Sequence, residues 1–148
     1  MEIEWVQLIV EMSILAAIIF GAVYVEHWNY RRIQKNEEDG TRKKILVLIN
    51  NDLERKLRFI DESIHYKDYK PFFTDIWDAV ILSGKQTLLP FEMIENLQHT
   101  YSWLKYYNTE LQQKTALSNE NILRDLLEEV KKSINDSLNS IKMKRTKN

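Results

Sequence analysis

The sequence contains no cysteine, which excludes disulfide bonds and thiolate metal sites from the devices that stabilise its fold. It is also poor in turn formers, with three glycines and two prolines in 148 residues. A β-rich protein needs many tight turns, and glycine and proline dominate such turns. The composition therefore predicts an all-α fold built from long helices.

The sequence also lacks a strong excess of charge of one sign, because its formal net charge is −1. No global electrostatic field therefore favours a nucleic-acid partner. It has no Gly-x-Ser-x-Gly nucleophile elbow, and its glycines lie too far apart to form a phosphate-binding loop. We therefore expect a protein that is not an enzyme and that needs no cofactor.

The best metal-binding candidates are acidic and histidine residues that share a helix face. Glu92, Glu95 and His99 form one group, and Asp61 and His65 form a second pair. Di-metal bundles use a Glu-x-x-His spacing of three, whereas the Glu-to-His spacing here is four. Surface pairs on solvated helix faces explain these residues more simply, so we predict no metal site.

One long hydrophobic run is present near the N-terminus, from Trp5 to Val25, and its single charged residue is Glu11. A helix of about 20 apolar residues crosses the hydrocarbon core of a bilayer. The alternatives are a cleaved signal peptide and a buried core helix, but no basic region precedes the run and no small-x-small cleavage site follows it. The run therefore predicts one transmembrane helix, which together with its basic flank comprises residues 1–36.

The charges that flank this run predict its orientation. Residues 1–30 carry four glutamates and neither lysine nor arginine. Lysine and arginine remain on the cytoplasmic side of a membrane. We expect a single-pass protein of the inner (cell) membrane, with its N-terminus outside and its C-terminal domain in the cytoplasm. The basic residues that follow the span are Arg31, Arg32, Lys35, Arg42, Lys43 and Lys44.

Two features of the predicted span go beyond anchoring to membrane lipid. Ser13, Ala17 and Gly21 recur every four residues, and small residues on one stripe allow another helix to approach closely. Such residues are also common in any transmembrane helix. Glu11 is costly inside a membrane unless it faces protein or water, snorkels to the outer interface or is protonated. These residues are our candidates for transmembrane packing and for an intramembrane polar site.

Residues 37–41 predict a linker, and residues 42–148 predict a cytosolic helical domain. Apolar spacings of three and four indicate long helices over 42–64, from Pro90 to about 113, and from a capping Ser118 onward. A short helix over 75–83 follows Thr74 as its cap, contains Trp77 as a core anchor and stops at Gly84. Short connections favour antiparallel packing, so we expect a bundle of three long helices and one short helix.

Two parts of this domain point to a partner. The segment 45–49 is apolar on all sides, so it is either central in the bundle or covered by another protein. The other part is an aromatic surface, which we take as the candidate partner surface and which consists of Trp103, Tyr106 and Tyr107.

The segments 72–85, 88–90 and 101–108 contain Trp, Ser-Gly, Leu-Leu-Pro and Tyr-Asn marks. Through these short motifs, residues 5–113 resemble uncharacterised small prokaryotic single-pass membrane proteins with a C-terminal helical domain. The resemblance implies the layout of one span, a basic linker and further helices. It implies no activity and no site residue.

The expected function is that of a membrane-anchored, non-enzymatic interaction protein, an accessory or regulatory subunit of a membrane complex. Its partner is either another membrane protein or a second copy of the chain. The alternative is a self-assembling membrane effector or small ion channel, in which Glu11 lines the pore. An enzyme that gathers its carboxylates from several helices is the third alternative.

Overall fold

The computed structural model describes residues 2–114 and 120–145, and within them the chain is helical without any strand. The all-α prediction is therefore confirmed. The chain divides into two compact units, residues 1–41 and 42–148. The helices are α1 (Glu2–Tyr66), α2 (Asp75–Leu82), α3 (Phe91–Lys114) and α4 (Glu120–Arg145), and a 3-10 turn spans Lys85–Leu88.

The first unit consists of the N-terminal part of α1. Within the described residues, this helix contains an 18-residue stretch that is long and apolar enough to cross a membrane, and none of that stretch is buried. Large hydrophobic side chains are exposed along it, from Trp5 to Ile33. Its backbone hydrogen bonds close within the helix, so the fold of this segment requires no neighbour.

Residues 37–41 are helical, so the prediction of a linker is wrong as regards their conformation. Glu37 and Glu38 are good helix formers, and the side chain of Gln34 donates a hydrogen bond to Glu38 at 3.1 Å. A single glycine costs about 1 kcal/mol in a helix interior, which is too little to end a long helix. Gly40 therefore lies inside α1 although the boundary between the two units follows immediately.

The second unit is a helical bundle with one hydrophobic core, as predicted. The C-terminal part of α1 contributes the predicted apolar stripe, and α3 packs against α4. An ion pair between Lys131 and Asp61, at 2.7 Å, also joins α4 to α1. The largest fully buried side chains are those of Ile49, Leu53, Ile60, Trp77, Met93, Leu97, Tyr101, Leu104, Tyr107, Leu127, Ile134 and Ile141.

The connection between α1 and α2 begins at Lys67, whose φ of 57° lies in the left-handed region. Further along, the Asn108 side chain holds the backbone of Phe72 through two hydrogen bonds. The Phe72 N–H donates to Asn108 Oδ1 at 2.7 Å, and Asn108 Nδ2 donates to the Phe72 carbonyl at 2.7 Å. These bonds fix an irregular segment against α3.

The ends of α2 agree only in part with prediction. Gly84 follows the helix with a φ of 69°, the left-handed conformation that makes glycine the common residue there. Thr74 precedes the helix but makes no side-chain cap, because its hydroxyl donates instead to Asp78 Oδ2 at 2.7 Å. The predicted cap Ser118 lies outside the described residues.

Candidate interaction surfaces

The small-residue stripe of the N-terminal unit is exposed on α1. The Ser13 hydroxyl donates to the carbonyl of Ile9 at 2.7 Å, so this polar group is satisfied within the helix. A Cβ atom built at Gly21 meets nothing within 4 Å. Ser13, Ala17 and Gly21 therefore offer a smooth surface that no described residue covers.

Glu11 is exposed on the same unit, and its carboxylate accepts a hydrogen bond from Gln7 Nε2 at 3.3 Å. Both side chains lie one turn apart on the same face of α1, so the polar character at this level belongs to a pair of residues. Glu11 was predicted from the sequence as an intramembrane polar residue, whereas Gln7 was not. An i, i+4 polar pair inside an apolar run is the signal that indicates it.

The aromatic surface on α3 is built from Trp103, which is half-buried, and Tyr106, which is exposed. Their rings meet edge to face with centroids 5.9 Å apart. Tyr107 has 0% of its side chain exposed and packs against Phe72, so its inclusion in the surface is wrong. The helical period explains the difference, because residue 107 is turned about 100° away from residue 106.

His99 extends this surface by one helical turn. Trp103 Nε1 donates a hydrogen bond to His99 Nε2 at 3.1 Å, and His99 Nδ1 lies 3.2 Å from the Ser133 hydroxyl. The indole N–H can only donate, so Nε2 is the acceptor in the first of these contacts. A shallow cavity of about 250 Å³ is lined by His99, Ser102, Trp103 and Tyr106.

The same contacts bear on the metal candidates. Both nitrogens of His99 are engaged, while Glu92 and Glu95 are exposed. Asp61 binds Lys131 and raises the pKa of that lysine by accepting its hydrogen bond. Among the residues that the structure describes, no group of three or more histidines and carboxylates is arranged to hold a metal ion.

Buried hydroxyl groups join α3 to α4. Thr100 Oγ1 lies 2.9 Å from the Ser133 carbonyl, 2.8 Å from the Ser133 hydroxyl and 2.9 Å from the Ser137 hydroxyl. Ser137 Oγ in turn donates to the Asn96 carbonyl at 3.2 Å. Hydrogen bonds inside a core are directional, so they hold the two helices in one register. Two serines spaced by four on the apolar stripe of α4 are the sequence signal of this contact.

A buried ion pair within α1 is hydrogen-bonded to α3. Lys56 Nζ donates to Asp52 Oδ1 at 2.5 Å, and the Tyr101 hydroxyl donates to Asp52 Oδ2 at 2.6 Å. Trp77 stacks on the Tyr101 ring with centroids 5.6 Å apart. Burial, followed by the hydrogen bond to Asp52, raises the pKa of Tyr101 far above its usual range. We call Asp52, Lys56 and Tyr101 the buried cluster.

Sequence reasoning missed the buried cluster because an acidic and a basic residue spaced by four usually form a solvated surface pair. Their place in the apolar pattern indicates otherwise: Asp52 precedes buried Leu53, and Lys56 follows it by three residues.

No family model, curated protein or solved structure matches this chain.

Proposed function

We propose that this chain is a membrane-anchored, non-enzymatic interaction protein that serves as an accessory or regulatory subunit of a membrane complex. The N-terminal part of α1 is its anchor, and residues 42–148 form the binding domain. One observation carries the anchoring part of the proposal: none of the 18 residues of the apolar stretch is buried. A core helix of a soluble protein would be covered by its own chain, whereas lipid covers a spanning helix.

The distribution of charge supports an orientation with the N-terminus outside. Six basic residues lie between Arg31 and Lys44, and none precedes the apolar stretch. Basic residues close to a span stay on the cytoplasmic side. The binding domain then lies in the cytoplasm, at the inner face of the cell membrane.

The interaction role is supported by the apolar side chains that the bundle leaves uncovered. His99, Trp103 and Tyr106 form one continuous surface on α3. Val47 and Leu48 are exposed in the segment 45–49, for which the sequence predicts either a central place in the bundle or a covering partner. Tryptophan and tyrosine are enriched at protein interfaces because they bury a large area and retain one polar group. Anchoring keeps such a surface close to partners in the same membrane.

Topology and partner retention together test this function. A reporter fused after Asn148 should be cytoplasmic, and one fused before Met1 should be external. Affinity purification of the full chain from its native membrane should recover a partner, and Trp103→Ala should release it. Tyr66→Ala is the control, since Tyr66 is an exposed aromatic residue that lies at the end of α1 and not on α3. Cytoplasmic labelling of the N-terminus, or equal recovery with both variants, would contradict the proposal.

A further inference from the structure

A cavity of about 300 Å³ opens beside the buried cluster, between the C-terminal part of α1, the connection at residues 71–73 and the start of α2. Its charged side contains Asp52, Arg55 and Lys56. Its apolar side contains Phe59, Phe72, Phe73 and Ile76. Ligand sites combine an apolar wall with a few fixed polar groups in this way, and this volume lies at the low end of their usual range, about 300–1,000 Å³.

The ammonium group of Lys56 has more N–H donors than it has hydrogen-bond acceptors around it. The residue is only 7% exposed, and Asp52 accepts one of its three hydrogens. The other oxygen of Asp52 is occupied by the Tyr101 hydroxyl. Among the described residues no other oxygen or nitrogen accepts a hydrogen bond from Lys56, and its remaining contact is with the Tyr101 ring, whose centroid lies 5.8 Å from Nζ. A buried donor without an acceptor is costly, so an acceptor that enters this cavity gains a strong hydrogen bond.

The apolar side is held in place before any ligand arrives. Asn108 fixes the backbone of Phe72, and the ring of Phe72 packs edge to face on Phe59 with centroids 5.2 Å apart. Phe73 is 77% exposed and lies at the mouth of the cavity. A preformed wall reduces the entropy cost of binding an apolar group.

The charges around the cavity disfavour a ligand that carries two negative charges. Asp52 offsets the charge of Lys56, and exposed Arg55 is balanced by exposed Asp75 at the start of α2. A dianion such as a phosphate monoester would meet two carboxylates with no excess of positive charge to neutralise it. A carboxylate takes the spare hydrogens of Lys56 at a smaller electrostatic cost.

We propose that this cavity binds a small carboxylic acid with an apolar body, its carboxylate on Lys56 Nζ and its hydrocarbon part against Phe59, Phe72 and Phe73. The site lies within residues 42–148 and is independent of the anchoring role. It gives the binding domain a small-molecule ligand in addition to its protein partner.

Calorimetric titration of the full chain in lipid nanodiscs tests the site, with empty nanodiscs as the blank. The probes are 4-phenylbutyrate and 4-phenylbutanol, which share their apolar body and differ in the carboxylate. We expect the alcohol to bind about ten-fold more weakly or not at all, because its uncharged hydroxyl is a weaker acceptor for the Lys56 ammonium than a carboxylate is. Equal affinities, or no heat from either probe, would overturn the proposal.

Variants then assign the binding to this cavity. Lys56→Met should abolish binding of the acid, although it leaves Asp52 buried without its partner and can impair folding. Two exposed positions avoid that difficulty. Asp75→Asn should tighten binding about two- to five-fold by removing a negative charge at the rim, and Phe73→Ala should weaken it severalfold. Arg58→Gln is the matched control, an exposed cation on the same helix outside the lining. Unchanged affinity in both Asp75→Asn and Phe73→Ala would place the ligand elsewhere.

Discussion

The two parts of α1 share one backbone conformation and differ in what surrounds their side chains. In the N-terminal part Phe20 is 76% exposed, and the apolar residues point in every direction around the helix. In the C-terminal part Leu53 is fully buried, and the apolar residues follow one stripe. Both parts are helical, so secondary structure does not distinguish them. The periodicity of the apolar residues does, because it decides whether a part of α1 needs an apolar environment on all sides or on one side only.

The difference also separates two sources of stability. A helix with apolar residues on all sides gains its free energy by transfer into lipid, where its backbone groups are already paired. The bundle gains its free energy from the contact of stripes with one another, so it depends on particular side chains. Membrane insertion of the first part should tolerate exchange of one apolar residue for another, whereas folding of the second part should not.

The largest effect is expected from truncating a core ring of the bundle. A chain of residues 41–148 should be helical and melt cooperatively, because its apolar stripes cover one another. Trp77→Ala should lower its free energy of unfolding by about 3–5 kcal/mol, since the indole stacks on Tyr101 and its Nε1 donates to Gln98. Chemical denaturation measures this change.

Leu82→Ala on the same short helix is the control, because Leu82 is 88% exposed. It should change the free energy of unfolding by less than about 0.5 kcal/mol. If the two variants lose similar amounts of unfolding free energy, the stability of the bundle does not depend on which of its apolar side chains are buried.

A smaller effect is expected at alkaline pH. Burial raises the pKa of Tyr101 and that of Tyr107, so both rings stay neutral in the folded bundle while the unfolded chain ionises them above about pH 10. The stability that these neutral rings contribute is complete below pH 10 and is lost as the pH rises above it. Each ring should steepen the loss by up to about 1.4 kcal/mol per pH unit.

Denaturation of residues 41–148 between pH 8 and 11 measures that slope. Tyr101→Phe should make it shallower than in the unchanged chain, whereas Tyr66→Phe should not, because Tyr66 is exposed. Identical slopes in all three proteins would show that Tyr101 is not held neutral by the core.

Much of the bundle can be predicted from sequence, because apolar residues at spacings of three and four indicate both the helices and the faces that form the core. The ends of α2 and α3 agree with the prediction within about two residues. The turn at Lys67 has no glycine to signal it, and the Asn108 clamp joins residues 36 positions apart. Long-range polar contacts of this kind, including Tyr101 with Asp52, leave no local periodicity, so the cavity beside them was missed.

The smallest effect is expected on the exposed N-terminal part. Gly21→Ile should weaken association of the proposed span with a second transmembrane helix by about 1 kcal/mol, because a branched side chain keeps the two backbones apart. The added atoms meet nothing within the chain itself, since a Cβ at Gly21 has no neighbour within 4 Å. Insertion should be unaffected, as isoleucine is favourable in lipid. Cross-linking yield in native membranes measures association.

Ala22→Ile makes the comparison specific to the predicted stripe. Ala22 is a small exposed residue on the same turn, and it lies about 140° around the helix from the centre of the line through Ser13, Ala17 and Gly21. It should leave the cross-linking yield unchanged. A loss in both variants would indicate that bulk anywhere on the helix disturbs association. Full retention in Gly21→Ile would mean that lipid alone covers the N-terminal part, and the contrast with the bundle would then be complete: one part of α1 packs against protein and the other does not.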